Sequence, residues 1–182
     1  MDFTGRLYFD FVHRDVWRFL QVLLSAQREG ARPGLEWKPF LAGGLPEGDL
    51  DGHGRLLAAA EIVRTDAVLS HGPFVSAVLT AIHSEGMTVE DRDVLALAAR
   101  VAQLDDDFLA GDVIERRGRV LLDTAQEEAN ALGVDAVPSI YRHGPVVAVR
   151  MTAAVAMGSG SRRLELIDAM LDDDGLWELR KP

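Results

Sequence analysis

The spacing of apolar and polar positions changes several times along the chain. Arg6 to Val12 (RLYFDFV) is apolar at nearly every position and rich in aromatic and β-branched types, which predicts a strand buried on both faces. Val16, Trp17, Leu20, Leu23 and Leu24 then recur at helical spacing and predict a helix from Asp15 to Arg28, ended by Gly30 and Pro33. Leu35 to Leu41 (LEWKPFL) reads as a second strand. Pro39 has no N–H to give a ladder, so it assigns that strand to a sheet edge. Strand, helix and strand in this order, with a crossover this long, fit parallel pairing.

The Gly-rich stretch Ala42 to Gly54 is a loop and the best candidate boundary. Beyond it the pattern is helical as far as Ile114. Leu56 to Val68 and Phe74 to His83 are two segments, and Thr88 with Asp91 has the form of a capping box ahead of a third. Asp105 to Asp107 read as acidic first-turn residues of a helix through Phe108 and Leu109. Another helix spans Val120 to Leu132, with Gly133 just past its end. Ser139 to Arg142 and Val146 to Met151 read as a hairpin turning at His143-Gly144-Pro145. Gly158 to Ser161 is a loop with Ser161 as N-cap of a last amphipathic helix, ahead of a solvated end at Asp172 to Asp174. The order is βαβ, helices, α, ββ, α: a small mixed sheet flanked by helices.

Composition narrows the chemistry. The 182 residues carry 29 acidic and 19 basic side chains, a formal net charge of −10, with no basic tail. That balance argues against nucleic acid or an anionic membrane as partner. No run approaches the roughly 18 apolar residues of a membrane span. The N-terminus has no signal-peptide pattern, so a cytoplasmic protein is expected. Cys is absent, which removes disulfides, thiolate metal sites and a Cys nucleophile. The five histidines show no metal-ligand spacing. The GSGS loop at 158–161, followed by Arg162 and Arg163, offers a helix N-terminus to a phosphate or carboxylate, without the Lys of a P-loop.

Several segments carry a family likeness. "LYFDFVHRDVW" (Leu7 to Trp17) resembles the first strand and active-site turn of DsbA-like thioredoxin-fold proteins, including the group around 2-hydroxychromene-2-carboxylate isomerase and kappa-class glutathione transferases. "LEWKPFLAGG" looks like the second strand of that group, and "AQEEANALGVDAVPSIY" is similar to the stretch leading into its cis-proline loop. The resemblance implies a thioredoxin-like domain from residues 1–48 and 117–182, with a helical insertion at 49–116. It also implies a cis Val137–Pro138 bond. In redox members the turn reads Cys-x-x-Cys, and here His13 and Val16 stand at the two Cys positions, with Arg14 and Asp15 between them. In the isomerase and transferase members the turn starts with Ser-Pro and a thiol cofactor supplies sulfur. His13-Arg14 replaces that pair too.

The resemblance places residues 13–15 at a helix N-terminus, where free N–H groups favour an anion. Arg14 would strengthen such a site, while Asp15 would oppose an anion and suit the helix end. The dipole disfavours an imidazolium at His13, so a neutral His13 is expected. It serves as acceptor or general base, or merely caps the helix. Three functions stay open. The first is a redox-inactive protein binding a peptide or small molecule between His13, Arg14, Asp15 and the Val137–Pro138 loop. The second is an isomerase or transferase using glutathione or mycothiol, and the third a non-catalytic homodimer.

Overall fold

The computed structural model of the chain describes residues 3–151 and 158–172. It opens on β1 (Thr4–Phe9), α1 (Arg14–Arg28) and β2 (Gly34–Pro39), a parallel βαβ unit with Leu7 opposite Trp37 and Phe9 opposite Pro39. β3 (Ser139–Tyr141) pairs antiparallel with the other side of β1, and β4 (Val147–Ala148) completes the order β2-β1-β3-β4. Pro39 therefore does lie on an edge strand. β1 is central, and Leu7, Tyr8 and Phe9 are fully buried.

β1 ends three residues before the apolar run does. The Asp10 carboxylate accepts the Val12 N–H at 2.9 Å, and its carbonyl accepts the His13 N–H at 3.4 Å. These bonds turn the chain, as Asp commonly does. Phe11 nevertheless stays buried, edge-on to Phe9 with ring centroids 5.1 Å apart. A buried turn and a buried strand thus have the same composition here.

The helical region is α2 (Gly52–Asp66), α3 (Val68–His83) and α4 (Arg92–Val101). α2 starts earlier than its periodicity indicates, because Asp51 caps it by accepting the Gly54 N–H at 2.7 Å. From Leu56 to Val63 every residue of α2 is buried, which leaves no polar face to mark the period. Asp91 accepts the Thr88 N–H at 2.6 Å, yet the helix begins only at Arg92, after Asp91. The helix expected at Asp105–Leu109 is replaced by two single turns, Phe108 N–H to the Asp105 carbonyl and Ala110 N–H to the Asp107 carbonyl. Helix resumes as α5 (Gly111–Val113), continues through a π-helical Ile114–Gly118 and becomes α6 (Arg119–Ala131). Gly118 lies against α2: an added Cβ would sit 3.0 Å from Ile62 Cδ1 and 3.1 Å from Ala58 Cβ. The expected junction at residues 116/117 falls within the π-helical segment.

α7 (Gly160–Asp172) packs on α1. The contact is backbone on backbone at Gly160, where a Cβ would meet Ala26 N at 2.2 Å and Val22 O at 2.5 Å. α7 starts one residue before Ser161, and Ser161 is not its cap. Glu29, just past α1, accepts the Gly160 N–H at 2.9 Å, the Ser161 N–H at 3.1 Å and the Ser159 hydroxyl at 2.8 Å. The anion place read in the GSGS loop is thus filled by the chain's own carboxylate. The Ser159 hydroxyl, with the two N–H groups, lowers Glu29 to about 2. Asp172 pairs with Arg142 at 3.0 Å; Asp173 and Asp174 lie outside the described residues.

One face of the sheet carries charges under α2 and α6. Glu128 accepts from Arg6 and from the buried Lys38, each at 2.5 Å, and Arg64 bridges Glu36 at 2.9 Å and the buried Glu61 at 2.7 Å. Removing one member of such a network costs more than the pairing itself contributes, because a buried charge is left alone.

Candidate functional site

Tyr8 of β1 lies opposite Ser139 of β3. Continued by one and two residues, that antiparallel register sets the turn after Phe9 beside Pro138 and Val137. The sheet therefore brings the start of α1 and the 137–138 loop to one end of the molecule. The Val137–Pro138 bond is cis, and both residues are buried. The Pro138 carbonyl accepts the Val149 N–H at 2.8 Å, and the Ser139 hydroxyl donates to the Ala136 carbonyl at 2.7 Å. Among the described residues, the N–H and C=O of Val137 make no hydrogen bond.

His13 is the N-cap of α1 and is exposed. Its Nδ1 accepts the Asp15 N–H at a long 3.4 Å, so this nitrogen presents a lone pair to the helix. Arg14 is exposed and makes no ion pair among the described residues. Asp15 points elsewhere. Its Oδ1 takes a 2.8 Å bond from Arg18, which also donates to the Met151 carbonyl at 2.7 Å. The repulsion expected between Asp15 and a bound anion is thereby reduced. His13 and Arg14 share the sheet end with Val137 and Pro138, while Asp15 is engaged in bracing α1.

The structure adds residues that sequence reading did not single out. Asp10, 6% exposed, holds His53 from the first turn of α2 through a 2.6 Å bond between Oδ1 and Nε2. The same oxygen accepts the Val12 N–H. Burial on its own would lower the His53 imidazole. The Asp10 hydrogen bond and charge outweigh it, helped by Asp51 and Glu90, and raise it above the ordinary range. His83, at the end of α3, donates from Nε2 to the Phe11 carbonyl at 2.8 Å and stacks on Trp17 with centroids 6.1 Å apart. Burial, which outweighs the Phe11 bond, together with the charges of Arg14 and His13, lowers the His83 imidazole. The turn 10–13 is thus gripped by histidines from two helices of the region between β2 and β3. The sequence marks Asp10 as an acid inside an apolar run and His53 as a His directly after Asp-Gly, but neither mark pairs the two.

Two cavities are lined by other residues. One of about 620 Å³ is bounded by the start of α2, residues 89–92 and Leu109, and its polar wall includes Asp51 and Glu90. The other, about 330 Å³ and mostly apolar, lies between α1, β2 and α3 around Leu24, Trp37 and Pro73. None of His13, Arg14, Val137 and Pro138 lines either. The candidate site is therefore assigned from the α1 terminus and the 137–138 loop, not from either cavity.

No protein-family model matches the chain, and no curated protein does. Solved structures do. A putative protein disulfide isomerase from Nitrosomonas europaea superposes with TM-score 0.65 at 12% identity, covering 96% of this chain and 100% of that one. The cytosolic disulfide reductase DsbM from Pseudomonas aeruginosa, solved with GSH, gives 0.61 at 13% identity over 93% and 100%. A 2-hydroxychromene-2-carboxylate isomerase gives 0.62 at 15% identity over 92% and 94%. Likeness at this identity establishes a DsbA-like thioredoxin fold. The chain lacks any cysteine, so dithiol exchange by its own residues is excluded.

Proposed function

We propose that this cysteine-free DsbA-like thioredoxin fold is a binding protein whose ligand lies between the α1 N-terminus and the Val137–Pro138 loop. The observation that supports this reading is the pair of unbonded Val137 backbone groups beside β3. A buried backbone N–H or C=O rarely stays without a partner, and an extended ligand can add to Val137 as a short strand. His13 and Arg14 then face the ligand, with Arg14 drawing a carboxylate or other anionic group to the helix terminus. Residues 49–116 act as a helical insertion in a thioredoxin-like domain of residues 1–48 and 117–182, and the setting is cytoplasmic. No helix among the described residues is long and apolar enough to cross a membrane.

Thermal unfolding of the protein with millimolar short extended peptides tests the reading. A ligand of the folded state raises the melting temperature by mass action, by about 2.7 kcal/mol of stabilisation at a hundredfold excess over Kd. The rise is expected with peptides, and Arg14→Ala and His13→Ala should reduce it. A rise given only by glutathione or mycothiol replaces this reading with a thiol-cofactor enzyme. Melting that depends on protein concentration and ignores every ligand replaces it with a homodimer.

A further inference from the structure

We infer that the cavity of about 620 Å³ at the starts of α2 and α4 is a second binding site, for a small zwitterion with an apolar body, the chemistry of an apolar amino acid. This site is independent of the ligand place at the α1 terminus and the 137–138 loop. Its volume lies within the range of small-molecule sites, about 300–1,000 Å³. The floor is apolar. Leu50, Leu56 and Leu109 are buried there, with Val89 and Leu95 partly buried beside them. An apolar side chain leaving water for such a floor supplies the attraction.

The charges on the walls differ in what already engages them. Asp51 caps α2 by accepting the Gly54 N–H at 2.7 Å, and Arg55 pairs with Glu115 at 2.7 Å. Asp91 turns to the Thr88 N–H at 2.6 Å and leaves α4 without a side-chain cap. His53 is held by Asp10 and does not line the cavity. Two wall charges remain, one of each sign. Among the described residues Glu90 and Arg92 make no hydrogen bond and no ion pair. Glu90 is held over the start of α2, on the Asp51 side: a Cβ at Gly52 would lie 2.5 Å from Glu90 Oε2 and 2.6 Å from the Val89 carbonyl oxygen. An ammonium group suits that side. A carboxylate suits Arg92 and the uncapped N–H groups of α4, where the helix dipole favours an anion. The two residues are two apart in sequence, at most about 7 Å between Cα atoms, so one small molecule can span both. A purely cationic ligand leaves Arg92 unmatched, and a purely anionic one leaves Glu90.

Titration of the full-length protein with phenylalanine, phenethylamine and 3-phenylpropionate supplies the test, because each of the last two lacks one of the charges. Calorimetry gives the affinities and amide chemical-shift mapping the place. Phenylalanine should shift residues 50–56 and 89–95 and should bind about fivefold more tightly than either analogue, the upper range for an exposed ion pair. Glu90 and Arg92 are exposed, so their Gln variants should fold. Glu90→Gln should remove the advantage of phenylalanine over 3-phenylpropionate and keep its advantage over phenethylamine. Arg92→Gln should do the reverse. An analogue that binds as tightly as phenylalanine to the wild type overturns the zwitterion site. So does either variant that weakens all three ligands alike. Shifts that fall elsewhere, or no phenylalanine binding at tens of millimolar, overturn the cavity as a site. None of these outcomes bears on the peptide place, whose shifts fall at residues 12–16 and 136–139.

Discussion

Asp10 and His53 are joined by a 2.6 Å hydrogen bond that ties the end of β1 to the first turn of α2. The His53 imidazole is raised in the folded state, so folding binds its proton. Its contribution to stability is fully present below the ordinary imidazole range near 6.5 and is lost as pH rises through the raised folded value. Urea unfolding of wild type and His53→Gln from pH 5 to 9 should show a stability gap that narrows as pH rises. A gap that is constant with pH, or widens, contradicts the ion pair.

His71 should behave in the opposite sense. It is buried, its Nε2 has no partner among the described residues, and burial, with the Arg64 charge, lowers it from 6.5 to about 4. The unfolded chain takes up the proton before the native one does, so stability falls as pH drops from 6.5 towards 4. The full loss is on the order of 3 kcal/mol. His71→Leu should flatten this acid limb, as followed by denaturant midpoints between pH 7 and 4.

Gly160→Ala tests the contact between α7 and α1. The new methyl would meet the backbone of Val22 and Ala26, which cannot swing aside as a side chain does. Overpacking of this kind costs about 1–3 kcal/mol or more, and the melting temperature should fall. Gly111→Ala, at the first residue of α5, is the control, because its added Cβ would meet only the far end of the Arg55 side chain, at 3.4 Å. It should be neutral, or stabilising by up to about 1 kcal/mol from helix propensity.

Glu29 holds the other side of the same joint. Its carboxyl is lowered from 4.5 to about 2 by Ser159 and the N–H groups of Gly160 and Ser161. A depressed carboxyl stabilises above its unfolded value, and the stabilisation is lost as pH falls through the folded one. Acid unfolding followed by circular dichroism should begin at higher pH in Glu29→Gln than in wild type.

The βαβ opening, the edge position of Pro39 and the hairpin after Pro138 were all legible, because period and punctuation agree there. Local pattern failed where tertiary contacts decide. Asp10 bends an apolar run into a buried turn, α2 is buried all round, and the acids at 105–107 make turns without a helix. At the site, His13, Arg14 and the 137–138 loop could be named from sequence because the segments after β1 and before β3 carry the family resemblance, and the β1–β3 register sets them at one end. His53 and His83 could not. They lie 43 and 72 residues from their partners Asp10 and Phe11, and only the packing of α2 on β2 and of α3 on α1 brings them together. Glu29 was missed for the same reason: it answers the GSGS loop from 131 residues away at Gly160.

The central claim is that the ligand place of a DsbA-like fold persists here without sulfur, at the α1 terminus and the Val137 backbone. Amide chemical-shift mapping of the full-length protein, titrated with a short extended peptide, measures it most directly. Saturable shifts concentrated at residues 12–16 and 136–139 are expected, reduced by Arg14→Ala. Shifts confined to the residues lining the 620 Å³ cavity beside α4, or none at millimolar peptide, would contradict it.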